Sequence, residues 1–421
     1  TLNAIRVGDF VLQASSPLNR SLLPPAPADE GKMLAYQTVY HPAATSIAQL
    51  SVITLGSGEE KTGIDLHLRL VPTLRVSGTV TGSEGPVANL GVKLLPATVD
   101  EFATESGLEV ANTATDAQGA FTFFGVPPGT YTLKVLKMPR PLPTPMSEGM
   151  VMVSTGAGGV SFGTSVGATP PPPPPLPTDP TFWATLPVTV TEANVSGLTV
   201  SLRPGYRVTG RVEFEGTRER PTPEQIQRMA ISLTPIDSRL SGVLTPGRIS
   251  PDGQFRTVGF PPGKYLVNVG PGGPGLEWTL KAATFDGRDV SDEPLEIAGS
   301  DIDGVVLTLT DRTTQLSGTV RNAQGQGDGQ ADVVVFPANH QLWKQYGVST
   351  RRARSVRATK TGAYSIQGLP AGDYHLVAVD STSTRDWQDP KFLEAAARVA
   401  TRVTILEGDK KTLDLKTTRM R

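Results

Sequence analysis

Histidine, acidic side chains and tryptophan are the residue types from which a site could be built here. The chain has four histidines, His41, His67, His340 and His375. A zinc peptidase needs a histidine with a glutamate three residues on and a second, distant histidine to close the metal shell. The positions three residues after these histidines hold Ala44, Leu70, Trp343 and Ala378, so that chemistry is absent. The Gly-x-Ser-x-Gly order occurs only inside the Gly-rich insertion, at Gly159-Val-Ser-Phe-Gly163 and Gly163-Thr-Ser-Val-Gly167, without the strand-to-helix setting a nucleophile elbow needs. Two acidic loops, Asp286/Asp289/Asp292/Glu293 and Asp328/Asp332, offer hard oxygen ligands of the kind calcium takes, without the EF-hand spacing. A basic run, Arg351, Arg352, Arg354, Arg357 and Lys360, alternates enough to be the wet face of a strand. Trp183, Trp278, Trp343 and Trp387 are candidate stacking platforms for a sugar, or packing residues at sandwich edges. The expectation from these residues is no catalytic, cofactor-binding or metal-binding set. His67 and His375 are expected as outward polar residues on strands.

The elements that carry these residues follow one recurring stretch. Phe121-Thr-Phe-Phe-Gly-Val-Pro-Pro-Gly-Thr-Tyr-Thr-Leu-Lys-Val135 returns at Phe255 to Val269, with Gly259-Phe-Pro-Pro-Gly-Lys-Tyr265, and at Tyr364 to Val379, with Gly368-Leu-Pro-Ala-Gly-Asp-Tyr374. A truncated copy opens the chain, with Gly8 in the place of Gly129, Gly263 and Gly372. Phe121 and Phe123 share a face, and Tyr131, Leu133 and Val135 alternate with polar residues at the two-residue period of a half-buried strand. Each copy therefore reads as strand, turn, strand, a hairpin-like corner of a sandwich. The glycine after the prolines is expected at positive φ.

Around this corner the chain divides into four units. Residues 1–72 read as the C-terminal half of a sandwich, closed by a strand at Gly63-Ile-Asp-Leu-His-Leu68 and beginning inside a repeat, as part of something longer would. Residues 73–203 open on Leu74-Arg-Val-Ser-Gly-Thr-Val80 and carry a Pro/Gly-rich insertion at 138–183, where Pro170 to Pro175 form a polyproline II spacer. Residues 204–311 open on Tyr206 to Val212 and hold a short helix started by the capping box Thr222-Pro-Glu-Gln225, carrying Ile226 and Met229. Residues 312–421 open on Leu316-Ser-Gly-Thr-Val320 and hold a helix near 389–400, with Asp389 as N-cap and Leu393, Ala396, Ala397 and Ala400 on one face.

Composition agrees with several small β domains: 421 residues, 44 Gly, 37 Pro and 6% aromatic side chains. The formal net charge of -1 argues against a nucleic-acid surface, which needs a basic excess. Without cysteine there are no disulfides or thiolate metal sites. No apolar run is long enough for a transmembrane helix.

The order Val-Ser-Gly-Thr-Val, Asp-x-x-Gly-x-Phe and Pro-Pro-Gly-x-Tyr resembles the bacterial carboxypeptidase regulatory-like domain over essentially the whole chain. That resemblance implies an all-β tandem array of seven-stranded transthyretin-like (Ig-like, Greek-key) β-sandwiches with a few short helices. It also implies an extracytoplasmic module, secreted, at the cell surface or periplasmic, with no catalytic residues of its own. In the last unit Thr361-Gly362 replaces the aspartate-containing turn, which should change turn detail only. Related surface sandwiches close Lys-Asn crosslinks between first and last strands; with Arg75 and Arg207 there, none is expected.

The leading expectation is a non-enzymatic stalk, adhesin or assembly subunit, a filament subunit included. Its partner is a protein or a further copy of itself, with β-strand addition at the incomplete N-terminal repeat. The alternatives are an accessory region of a larger peptidase or outer-membrane receptor, and a glycan-binding module.

Overall fold

The computed structural model describes residues 60–97, 111–139, 176–236 apart from 178, 246–270, 278–343, 351–381 and 387–418, with shorter stretches between 8 and 55 and at 151–163. The expected proline run, and Leu2, Ile5 and Leu12 of the first copy, lie outside the described residues. The chain is almost entirely β, with two short α-helices among the described residues.

Between residues 74 and 201 two layers face each other. One has the order Ala111–Ala114, Gly91–Pro96, Gly129–Lys137, Phe182–Val190; the other has Ala120–Val126, Leu74–Gly82, Val195–Ser201. Val76, Val80, Leu94, Phe121, Phe123, Tyr131, Leu133 and Val135 fill the space between them, so the two-residue alternation read from the sequence is the alternation of burial. Burying each large apolar side chain contributes roughly 1.5–3 kcal/mol. The same opening, corner and closing strands recur at residues 208–310 and 315–418, around separate cores. At 208–310 the two layers form one continuous nine-stranded path, because Gly247–Ile249 pairs with both Ala230–Pro235 and Gln254–Arg256.

The proline corner is not a hairpin. Strand Ala120–Val126 pairs with Leu74–Gly82 in one layer, whereas Gly129–Lys137 pairs with Gly91–Pro96 and Phe182–Val190 in the other. The prolines hand the chain across the core. Each corner is fastened by the tyrosine that follows: Tyr131, Tyr265 and Tyr374 donate their hydroxyls to the carbonyls of Pro127, Pro261 and Pro370 at 2.7, 2.8 and 2.6 Å. Gly129 and Gly263 do not have the expected positive φ, whereas Gly372 does (153°); before the prolines it is found at Gly125 (71°) and Gly368 (69°). At Gly129 the constraint is space, since a Cβ would sit 3.0 Å from the Tyr131 hydroxyl oxygen.

A second constraint was not foreseen. In each of the three sandwiches between residues 74 and 418 the opening strand lies parallel to the closing one. At the glycine of each opening motif the two backbones nearly touch. A Cβ on Gly78, Gly210 or Gly318 would stand 2.2, 1.8 or 2.1 Å from the carbonyl oxygen of Leu198, Val305 or Leu413. The pairing register shifts beside Leu198 and Val305, and the closing segment of the last sandwich breaks into Lys410–Thr412 and Leu415–Thr418 around Leu413.

The expected strand at Gly63–Leu68 is absent: residues 61–69 have no regular structure, and the strand here is Leu70–Pro72, paired with Leu34–Tyr36. Alternating hydrophobicity prepares a face, but a strand also needs a ladder partner for its backbone groups. Leu68 and Leu70 are 42% and 53% exposed. Gly8–Phe10 of the truncated copy does pair, with Ile53–Leu55.

Both helices form where expected. Thr222 and Gln225 exchange the two hydrogen bonds of a capping box over Pro223–Arg228, and Ile226 and Met229 are buried. Asp389 caps Pro390–Ala397, placing Leu393 and Ala396 against Phe336, Val377 and Val379.

Gly210→Ala should destabilise the protein by about 1–3 kcal/mol through forced separation of the paired backbones. Gly91→Ala, where no atom lies within 4 Å of the added Cβ, should be nearly neutral. Urea unfolding of both variants provides the comparison.

Candidate functional site

The acidic loop and the basic run, 59 residues apart at their closest contact, meet across the junction of the last two sandwiches. Asp292 sits in the loop before strand Leu295–Ile297. Arg351 Nε donates to its Oδ1 at 2.7 Å, and Arg352 Nε donates to its Oδ2 at 2.5 Å. Arg351 Nη1 also donates to the carbonyls of Leu280 and Lys281 at 2.9 and 3.0 Å. Arg352 Nη1 reaches the Ala371 carbonyl at 3.1 Å and the Tyr374 hydroxyl at 3.4 Å, which ties the contact to the corner of the last sandwich. Burial by itself would raise the Asp292 pKa; the hydrogen bonds and charges of both arginines outweigh it and hold the carboxyl below its ordinary value.

A second polar cluster closes the other side. Lys281 Nζ lies 2.5 Å from Glu215 and 3.3 Å from Glu407, and Thr310 donates its hydroxyl to Glu407 at 2.9 Å. Glu407 belongs to the last sandwich and the other residues to the one before it. Nothing local in the sequence joins them, since 66 and 126 residues separate Lys281 from its partners.

These contacts correct the reading of the basic run as a strand's wet face. Arg351 and Arg352 lie at the junction, and Arg354 donates to the carbonyls of Gln367 and Gly368 at 2.6 and 3.3 Å; Arg357, 3.7 Å from Asp332, and Lys360, in the turn beyond the strand, are exposed as expected. The acidic loops are equally committed. Asp289 accepts from the Ser291 amide, and Asp328 accepts from the Gln330 amide and the Thr417 hydroxyl. Among the described residues no three His, Asp or Glu side chains converge as a metal site would require.

The tryptophans serve packing. Trp278 is 9% exposed and meets Phe214 edge-on; Trp343 stacks on His340 and donates to the Pro337 carbonyl at 2.7 Å; Trp183 donates to the Pro204 carbonyl; Trp387 packs beside the second helix. His375 is not the outward polar residue expected, but lies half-buried against Phe336, with burial lowering its pKa. His67 is exposed and outside any strand.

Between the two sandwiches lies a cleft of about 640 Å³, with Asn268, Trp278 and Thr279 on one wall and Gln315, Arg354 and Gln367 on the other. The one carboxylate among its described lining residues, Asp311, is used by the chain itself, accepting from the amides of Thr217 and Arg218 at 2.9 and 2.6 Å.

The preceding junction is also continuous. Arg203–Pro204 extends the sheet edge on Phe182–Trp183, the Gly205 amide donates to Thr181, and Tyr206 bridges to Phe260. Leu176 and Met138, at the ends of the insertion, pack on the next core.

No family model matches the chain, and no curated protein matches it. Among solved structures it is similar to the Bacillus anthracis TIE protein (10% identity, 91% of this chain and 57% of that one, TM-score 0.18). It is also similar to BcpA, the major pilin subunit of Bacillus cereus (14%, 82% and 99%, TM-score 0.19). A third is the streptococcal ancillary pilin (11%, 83% and 99%, TM-score 0.21). The chain thus spans little more than half of the TIE protein's length. TM-scores this low define no common site.

Asp292→Asn should cost roughly 2 kcal/mol, the scale of hydrogen bonds to charged groups. The pH dependence has a fixed sign. A carboxyl with a depressed folded pKa contributes stability that is complete above its unfolded value, near pH 4, and is lost as pH falls through the folded value. The wild type should therefore lose stability relative to Asp292→Asn below about pH 4, measured by thermal unfolding between pH 2 and 7.

Proposed function

We propose that the chain is a non-enzymatic structural protein, a run of carboxypeptidase regulatory-like sandwiches with boundaries near residues 72, 203 and 311. It works outside the cytoplasm as a stalk or assembly subunit whose partners are proteins, further copies of itself included. The observation that carries this reading is the Arg351–Asp292–Arg352 contact, which fastens one sandwich to the next through side chains with 16%, 17% and 21% of their surface exposed. A tether between independent binding modules needs no such contact and is served by a Gly/Ser-rich linker. A stalk needs every junction held, and the Lys281–Glu407 cluster and the paired Arg203–Pro204 segment support the same reading. Arginine suits this task, because its planar fork divides its donors between a carboxylate and backbone carbonyls.

Since the sequence holds no cysteine, spin labels can be placed without background. Pairs at the exposed positions Glu192 and Glu296, and Glu296 and Glu394, report the two junctions. Double electron–electron resonance should give one narrow distance distribution for each pair. Arg351→Ala/Arg352→Ala should broaden the second and leave the first unchanged. A broad distribution for both pairs in the unsubstituted protein would overturn the stalk reading.

A further inference from the structure

Among the described residues the cleft between the last two sandwiches is lined by five basic side chains, Arg218, Arg312, Arg351, Arg354 and Lys410, against the single carboxylate of Asp311. Most of these charges are already shared. Arg351 competes with Arg352 for Asp292, Arg312 lies 3.9 Å from a Glu407 that also serves Lys281, and Arg218 lies beside Asp311. Two are not. Arg354 is half-buried, and its hydrogen bonds go to the carbonyls of Gln367 and Gly368, with no carboxylate in reach among the described residues. Burial pushes its pKa down, and the neighbouring Arg351 charge adds to that. Lys410 is exposed and has no acidic partner among the described residues. A half-buried charge left without a counter-charge is costly unless something supplies one. A cleft walled by one sign of charge also concentrates counter-ions.

From this geometry we propose that the cleft binds an anionic oligosaccharide, its carboxylate or sulfate groups held by Arg354 and Lys410. The volume of about 640 Å³ suits a ligand of a few sugar rings. The amides of Asn268, Gln315 and Gln367 stand beside the two cations as partners for ring hydroxyls; the Asn268 Oδ1 accepts its neighbour's amide, which leaves its NH₂ to donate. A single-stranded nucleic acid fits less well, because bases need an open aromatic face. The cleft's one tryptophan, Trp278, is 9% exposed and turned onto Phe214. The ligand would contact both sandwiches, Asn268 from one and Arg354, Gln367 and Lys410 from the other.

The test is isothermal titration calorimetry of the full chain at 150 mM salt with four probes: an oligogalacturonate hexamer, a sulfated hexasaccharide, neutral maltohexaose and single-stranded oligo-dT. The expected result is saturable binding of at least one acidic saccharide and none of maltohexaose. Arg354→Gln and Lys410→Gln should each weaken it about tenfold, the scale of one lost charge contact. Lys264→Gln, an equal charge change at an exposed position outside the cleft, should leave it unaltered. Lys410 is exposed, so its variant keeps the test valid if Arg354→Gln unfolds, which its melting curve would show. Absence of saturable binding, equal binding by Lys410→Gln, or oligo-dT binding as tight as the saccharide's would each overturn the proposal.

Discussion

The hydrogen bond from a buried tyrosine hydroxyl to a carbonyl four residues back is the interaction on which each sandwich depends. A strand that has finished pairing in one layer must cross the core to begin pairing in the other, and the crossing backbone has no ladder to satisfy it. Two prolines solve half of that problem in the first two corners by removing donors, and fix φ at the turn. The tyrosine solves the other half by supplying a donor from within the core. Tyr265 and Tyr374 have no solvent-accessible surface. Burial raises the pKa of Tyr131 and Tyr374, so the hydroxyl stays protonated and able to donate. Ring and hydroxyl are both used, the ring as core volume and the hydroxyl as a latch, which explains why an aromatic without a hydroxyl does not stand there in any of the three corners.

That latch also reaches the junction. Arg352 donates to the Tyr374 hydroxyl while its Nε holds Asp292 of the preceding sandwich. The corner that closes a sandwich internally is thus the surface on which its neighbour rests. Asp292 satisfies two guanidinium groups at once, and the resulting local excess of positive charge spreads into the adjoining cleft. Junction and cleft are two consequences of one imbalance, more arginine than carboxylate where two cores approach.

The local parts of this plan were legible from the residues. Phe121, Phe123, Tyr131, Leu133 and Val135 alternate, and the burial alternates with them; Thr222-Pro-Glu-Gln225 spells a capping box and makes one. What failed was whatever needed a distant partner. Gly63–Leu68 alternates as well as any strand here but pairs with none of the described residues, and the ladder forms at Leu70–Pro72 instead. Asp292 and Arg351 read as a loop acid and a wet-face base because each was weighed against its own neighbours. The motif glycines Gly78, Gly210 and Gly318 marked the opening strands, yet their reason is a carbonyl more than 90 residues downstream. A glycine in a strand whose flanking residues all favour β structure signals that another backbone comes close.

The last sandwich shows where such signals can be pushed further. Val333-Val-Val-Phe336 is apolar without alternation, and Val334 and Phe336 have no exposed surface although they face away from the sandwich core. A continuous apolar run means that both faces are covered. The cover is helix Pro390–Ala397 with Trp343 and Trp387 beside it, a third layer on this sandwich. The outer face of that sheet is thus sealed. Binding surface is then left to the strand edges and to the cleft at the junction, and in that cleft the unspent charge of Arg354 lies.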